Sequence, residues 1–176
     1  LVAANPDAML VVASGSGAAM PQLGILDRGY KGKIYQTHAA ATKDLPRVGG
    51  KAVEGTYVVT GPVLAPEQLP DSNPSKKLAM DYMTKYGAAY GADSHNQFGG
   101  HSYDVPVILD KALPVALKKA KPGTPEFRAA LKDALETMGR TVVSHGVLNW
   151  TKDDHWGYTM DTGVIVKVVN GDFKME

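Results

Sequence analysis

Four small residues, Ser14-Gly15-Ser16-Gly17, separate a short apolar segment from a segment with helical spacing. A turn between a strand and a helix presents free backbone amides, and the helix dipole adds positive potential, so this turn could hold a carboxylate or another anion. It does not fit a dinucleotide-binding fingerprint, because Met20 occupies the third small position and no acidic residue ends the following strand. A tight turn without a ligand remains the alternative.

The same turn does not fit a serine nucleophile. The Gly-x-Ser-x-Gly elbow is absent, and the sequence identifies no base and acid partners for Ser14 or Ser16. The chain also has no cysteine, which excludes thiolate nucleophiles, disulfides and cysteine-ligated metals. We therefore name no catalytic residue.

His38 follows the second predicted strand, at the sheet edge where the small-residue turn also lies. Ligands of open α/β sheets bind at that edge, so His38 is a candidate ligand contact, with a structural hydrogen-bonding role as the alternative. Phe98, His101 and Tyr103 begin a predicted helix, where aromatic residues are more typical of a core than of a pocket.

A possible metal set, His145, Asp153, Asp154 and His155, lies near the end of the chain. Its spacing gives no helical i, i+4 pair and no standard zinc pattern. We therefore predict a solvated turn here, and we expect neither a metal nor a cofactor.

Composition excludes several classes of partner. The 176 residues include 19 basic and 18 acidic side chains, giving a net charge of +1, so electrostatic capture of nucleic acid or of an anionic membrane is not expected. No apolar run approaches the roughly 20 residues of a membrane span. With 44% hydrophobic and 21% charged residues, the chain has a globular balance.

The first third of the chain predicts a parallel unit of strand, helix and strand. Ala8–Ala13 has the continuous apolar character of a strand buried on both faces, residues 18–28 show helical spacing, and Gly32–Thr37 forms the next strand. Such a unit has a right-handed crossover. A short helix around Leu45–Val48 and a third strand at Glu54–Thr60 follow.

In the rest of the chain, the predicted helices do not alternate with strands. Gly61–Ser72 is rich in proline and predicts a linker across the surface. Three helical segments follow, of which the second contains Pro106 and Pro114 and should kink or break. The predicted elements are helices at about 73–90, 97–120 and 124–139, strands at 141–143 and 147–150, and a hairpin of 163–169 and 172–175 around Asn170-Gly171. These helices have too few strands nearby to cover.

A succession of segments carries a family resemblance over nearly the whole chain. The segments are Asn5–Ser14, Gly24–Tyr35, Val53–Thr56, Gly100–Asp104, Pro125–Leu131, His145–Trp150 and Val166–Gly171. In this order the sequence resembles the C-terminal half of type I periplasmic solute-binding proteins of the branched-chain amino acid (Leu/Ile/Val) ABC transporter class.

The resemblance implies an α/β fold with two Rossmann-like lobes that close on a ligand like a Venus flytrap, of which only the C-terminal portion is present here. Residues 1–60 would belong to the second lobe, residues 61–157 would be a mainly helical part of the first lobe, and residues 158–176 would return to the second lobe as a hairpin. A crossover would lie near Gly157–Asp161.

The resemblance also assigns ligand contacts in the second lobe, to Ser14, Gly15, Ser16 and His38. In amino acid binders the position of His38 commonly carries a carboxylate that pairs with the amine of the ligand. Histidine cannot act as a fixed negative partner, so an aromatic or other organic acid becomes the expected ligand. From the first lobe, Phe98 and then Tyr103 would contact it.

The function implied is that of a periplasmic, non-enzymatic solute-binding component of an ABC importer, with a small molecule and an inner-membrane permease as partners. A signal peptide and the N-terminal half would precede this chain. Two alternatives stay open: an α/β enzyme domain that holds an anionic substrate at Ser14–Gly17, and the ligand-sensing domain of a receptor.

Overall fold

The computed structural model describes residues 1–159 and 162–176. Within those residues, five α-helices and seven β-strands follow one another. The helices are α1 (Ala19–Leu26), α2 (Asp44–Gly49), α3 (Lys76–Tyr90), α4 (Gln97–Leu117) and α5 (Pro125–Thr137). The strands are β1 (Ala8–Val11), β2 (Lys33–Gln36), β3 (Tyr57–Thr60), β4 (Thr141–Val143), β5 (Gly146–Leu148), β6 (Val164–Val169) and β7 (Asp172–Met175).

Five strands form one mixed sheet in the order β1-β2-β3-β6-β7. The first three are parallel, as the strand-helix-strand pattern predicts, and β6 and β7 join antiparallel to β3. Asn170 and Gly171 connect β6 to β7 with positive φ angles of 53° and 75°, which confirms the predicted hairpin turn. The α/β class is therefore confirmed. The expected crossover near Gly157–Asp161 includes Met160 and Asp161, which lie outside the described residues.

The sheet is covered on one face only. Met9, Val11 and Val58 point into the core beneath α1 and α2, whereas Leu10 is 63% exposed and Val12 is 76% exposed. The prediction that Ala8–Ala13 is buried on both faces is therefore wrong. Its continuous apolar composition conceals a strict in-and-out alternation, because a strand directs successive side chains to opposite faces.

A buried chain of amides fixes α1 against the sheet. Nε2 of Gln36 donates to Oε1 of the Gln22 side chain at 2.9 Å, and Nε2 of Gln22 donates to the Thr56 hydroxyl at 2.6 Å. All three side chains are almost fully buried. Since a buried polar group is costly unless paired, this chain specifies how α1, β2 and the segment before β3 pack together.

The proline-rich connector after β3 is not a surface linker, so that prediction is wrong. Its prolines open two short 3-10 turns, Pro62–Leu64 and Pro66–Gln68. Val63 packs against α3, and Leu64 packs into the core beneath the sheet. The connector is buried because its turns direct Val63 and Leu64 into two neighbouring clusters of apolar residues. It thereby joins the sheet to the helices.

The helices α3, α4 and α5 pack side by side beyond the connector, with the β4-β5 hairpin against α4. Helix α4 continues through Pro106 and Pro114, so the expected break does not occur. Both prolines lie on its exposed side, where the carbonyl that each leaves unpaired can reach water. Within the described ranges, no helix combines the length and the apolar character that a bilayer crossing requires.

We expect Thr56→Val to lower the free energy of unfolding by about 1–3 kcal/mol, because the change removes the hydroxyl that accepts from the buried Gln22 amide. Thr84→Val, at an exposed position of α3, is the matched control and should stay within about 0.5 kcal/mol of the wild type. Urea denaturation measures both. Equal effects of the two changes would contradict the role given to the buried amides.

Candidate functional site

A cavity of about 440 Å³ lies where the carboxyl ends of β2 and β3 meet α4 and the β4-β5 turn. Three histidines from distant parts of the sequence face it, together with aromatic and hydroxyl side chains. The lining residues are His38, Val59, Thr60, Gly61, His101, His145, Trp156, Tyr158, Thr159, Thr162 and Gly163. Residues of the sheet and residues of the helical segment both contribute, so the cavity lies between these two parts of the chain.

His38 begins a short 3-10 turn just after β2, at the sheet edge predicted for it. The buried Gln97 side chain at the start of α4 donates to the His38 carbonyl oxygen and holds this turn against the helix. Burial, together with the nearby His145 and His101, lowers the pKa of His38 to about 4. The ring is therefore neutral at pH 7.

His145 occupies the turn between β4 and β5 and is 2% exposed. Its ring fits between Gly61 and Gly100, where a Cβ atom would lie 2.7 Å and 2.8 Å from ring carbons. Any larger residue at either position would push the ring out of place. The ring of His145 therefore fits here only because residues 61 and 100 are both glycine and have no side chain.

Asp104 of α4 holds this turn through a buried carboxylate. Its Oδ1 accepts from the Ser144 amide at 2.7 Å, and its Oδ2 accepts from the His145 amide at 3.2 Å. The same Oδ2 lies 3.3 Å from Nδ1 of the His145 ring. A carboxylate only accepts, so this contact places a proton on Nδ1 of His145.

His101 lies on α4, three residues before Asp104. Its ring stacks on that of His145 with centroids 3.5 Å apart and planes 10° apart, and it is 5.4 Å from the centroid of His38. Burial and the nearby His145 lower the pKa of His101 to about 4, while Asp104 acts in the opposite direction. The two rings therefore lie face to face, almost in parallel planes.

The three rings form a group that could hold a metal ion. One nitrogen from each of His38, His101 and His145 lies within 4.8 Å of the others. The sequence prediction that His145 belongs to a solvated turn is thus wrong, because its turn folds under α4. Asp153, Asp154 and His155 do form the exposed turn that was predicted, and His155 pairs with Glu136 at 2.7 Å.

The opposite side of the cavity is aromatic and rich in hydroxyls. The exposed Trp156 ring meets Tyr158 edge-on at 5.6 Å. Burial, with a contribution from Asp104, raises the pKa of Tyr158 to about 12, so its hydroxyl keeps its proton and can donate. Thr60 is buried, and its hydroxyl has no hydrogen-bond partner among the described residues.

The other predicted ligand contacts are not among the residues that line the cavity. Ser14 and Ser16 are exposed, and the turn that follows Ser14 contacts the His38 turn without lining the cavity. Phe98 is 48% exposed on α4, about one helical turn before His101. Tyr103 faces α3, where its hydroxyl donates to Asp81 and its ring packs on Tyr82.

Sequence reasoning missed most of the cavity lining. His101 was grouped with core aromatics, and Asp104, Trp156 and Tyr158 carried no motif. The histidines are 63 and 44 positions apart, so no short-range spacing could reveal them. The nearest local signal was Gly146 directly after His145, because glycine readily adopts a positive φ, and the chain has a φ of 140° there.

Acid should destabilise this fold through the histidines. Unfolded histidine has a pKa near 6.5, whereas His38 and His101 have values of about 4 in the folded chain. Between these two pH values, His38 and His101 are protonated in the unfolded chain and neutral in the folded chain. The free energy of unfolding therefore falls as the pH falls from about 6.5 to about 4.

Denaturation series at several pH values, with a chelator present, measure this dependence. His38→Gln and His101→Gln should each make it shallower, while the control His95→Gln should keep the wild-type slope. A wild-type slope that neither substitution changes would show that the two rings are not held neutral.

Comparisons with known proteins agree with this architecture. An extracellular ligand-binding receptor from Rhodopseudomonas palustris is 47% identical, with a TM-score of 0.94 over 100% of this chain and 49% of its own. A leucine-binding protein, LivK, from Thermotoga maritima is 22% identical, with a TM-score of 0.75 over 99% of this chain and 45% of its own. A putative branched-chain amino acid ABC transporter protein from Rhodospirillum rubrum is 23% identical, with a TM-score of 0.63 over 97% and 44%.

The last two comparisons, at low identity, concern the fold alone. No protein-family model and no curated protein gave a match. The chain spans about half the length of the solved structures that it resembles. It therefore has the fold of the type I periplasmic binding proteins and is similar, over its whole length, to about half of one, which fits a C-terminal half.

Proposed function

We propose that this chain is part of an extracytoplasmic solute-binding protein that holds a small organic acid, preferably an aromatic one, between two lobes. The observation that carries the proposal is the cavity of about 440 Å³, lined by three histidines on one side and by Trp156 and Tyr158 on the other. That volume lies within the range of ordinary small-molecule sites. The resemblance to extracellular ligand-binding receptors supports a binding role.

In this proposal, each of the two lobes is formed by separate ranges of the chain. Residues 1–60 and 158–176 supply the strands of the five-stranded sheet, and residues 61–157 supply α3 to α5 and the β4-β5 hairpin. His38 and Thr60 approach the cavity from the first group, and His101, His145 and Trp156 approach it from the second. A ligand in contact with both groups would favour their closed arrangement, which is how such a protein couples binding to a change of shape.

The ligand chemistry follows from the charge of the cavity. No carboxylate among the described residues lines it, so none of these residues would pair with the amine of an amino acid. Neutral imidazoles, the Tyr158 hydroxyl and the Thr60 hydroxyl can donate hydrogen bonds to a carboxylate. The rings of Trp156 and Tyr158 can pack against an aromatic body.

Other contacts are part of the proposal. Ser14, Gly15 and Ser16 would approach the acid when the lobes close, because their turn adjoins that of His38. Phe98 would cover the ligand from α4, where its ring is exposed. Tyr103 has the weakest support, since its hydroxyl is already bound to Asp81. In the periplasm, the closed form would deliver the ligand to the inner-membrane permease of an ABC importer.

Three probes of similar size test the ligand class in the full natural protein: benzoate, its neutral analogue benzamide, and leucine. Isothermal titration calorimetry and thermal unfolding should show saturable binding of benzoate, with an increase in Tm. Benzamide, which lacks the charge, should bind at least about 10-fold more weakly. Leucine should not bind, because its amine finds no negative partner. Binding of leucine without binding of benzoate would refute the ligand assignment.

Binding of the acid should also take up protons. A carboxylate beside His38 and His101 favours their charged forms and raises their pKa from about 4, so affinity should increase as the pH falls from 7 to 5. Calorimetry with a chelator present, in buffers of different ionisation enthalpy, counts the protons taken up by metal-free His38 and His101. His38→Gln should reduce the uptake, whereas His95→Gln should not. Binding that is independent of pH would show that the acid contacts neither ring.

A further inference from the structure

We propose that His38, His101 and His145 bind a divalent transition metal ion, with Zn²⁺ the best fit, at the floor of the cavity. One ring nitrogen from each lies within 4.8 Å of the other two. Imidazole nitrogen is a preferred ligand of zinc, and three histidines with one open position make a well-known type of zinc coordination. This proposal is independent of the acid-binding function, because it needs only these three side chains.

The strongest support comes from His145, whose Nε2 is buried and has no hydrogen-bond partner among the described residues. A buried polar atom without a partner is costly, and a metal ion bound to Nε2 would satisfy it. Asp104 already accepts from Nδ1 on the other side of the ring, at 3.3 Å. A carboxylate that holds one nitrogen while the other is free to bind metal is the usual outer support of a zinc-binding histidine.

The other two ligands are held less tightly but are also supported. Gln97 fixes the backbone at His38 through a hydrogen bond to its carbonyl oxygen. His101 stands on α4, the helix that also carries Asp104, so helix geometry sets the spacing between ligand and support. Its ring lies parallel to that of His145 and must rotate for its nitrogen to converge on the same ion. Its partial exposure leaves it room to do so.

Three protein ligands leave a coordination position open toward the cavity. Water or a carboxylate oxygen could occupy that position in tetrahedral zinc. The ion would also supply the positive charge that neutral imidazoles lack. The cavity could then hold an anion without a charged side chain in its lining.

Zinc chloride alone tests the proposal in the full natural protein after dialysis against a chelator. We expect calorimetry to show one Zn²⁺ bound per chain and thermal unfolding to show a higher Tm. Co²⁺ in place of Zn²⁺ should give the visible absorption bands of a tetrahedral site.

The chain has five histidines, so the two outside the cluster, His95 and His155, provide matched controls. His101→Ala should weaken zinc binding more than about 10-fold, because losing a ligand exceeds the effect of losing an outer support. His95→Ala and His155→Ala should leave the affinity unchanged. His101 is the variant of choice, since its ring is the least constrained and its loss should not prevent folding; circular dichroism checks this.

Two results would overturn the proposal: no one-site binding of Zn²⁺ by the wild-type protein, or binding that survives His101→Ala and is lost in His155→Ala. The latter would place the ion at the exposed pair of His155 and Glu136. Benzoate binding measured with and without chelator separates the two proposals. Benzoate binding without one-site Zn²⁺ binding would overturn the zinc site and leave the acid-binding function standing. One-site Zn²⁺ binding without benzoate binding, with or without chelator, would overturn the acid-binding function and support the zinc site.

Discussion

The buried carboxylate of Asp104 is the interaction on which the cavity depends. It accepts two backbone amides of the β4-β5 turn and faces the ring of His145, and it does so from the middle of α4. A carboxylate in an apolar environment is stable only when its lone pairs are satisfied in this way. The turn and the helix are thereby fixed to each other, and the His145 ring is held in one place.

Two glycines and one amide complete this arrangement from neighbouring elements. Gly61, just after β3, and Gly100, on α4, leave the space that the His145 ring fills. Gln97 ties the turn of His38 to the same helix. The sheet, the connector and α4 therefore converge on one group of rings. Because each contact is made by a different segment, the cavity is a product of how those segments pack.

The sheet has a second consequence for the chain. Its inner face packs against α1 and α2, while Leu10, Val59 and Ile165 of the outer face are 63%, 44% and 46% exposed. Val59 and Ile165 are paired across the adjacent strands β3 and β6, so their exposed side chains lie next to each other. Similar solved structures are about twice as long as this chain. Among the described residues, these side chains of the outer face are left partly open to solvent.

Some of this was determined by the sequence alone. Local patterns predict the parallel unit of β1, α1 and β2 and the hairpin at Asn170-Gly171, because turn chemistry and apolar periodicity act over a few residues. The order of segments also carries the resemblance to periplasmic binding proteins, and it places His38 at the edge of the sheet. Tertiary structure decided the rest. Burial of the proline-rich connector depends on α3, which lies beyond it in sequence, and the meeting of His101 with His145 depends on Asp104. Contacts between residues some 40 or more positions apart leave no local pattern, so only the packed fold could bring the three histidines together.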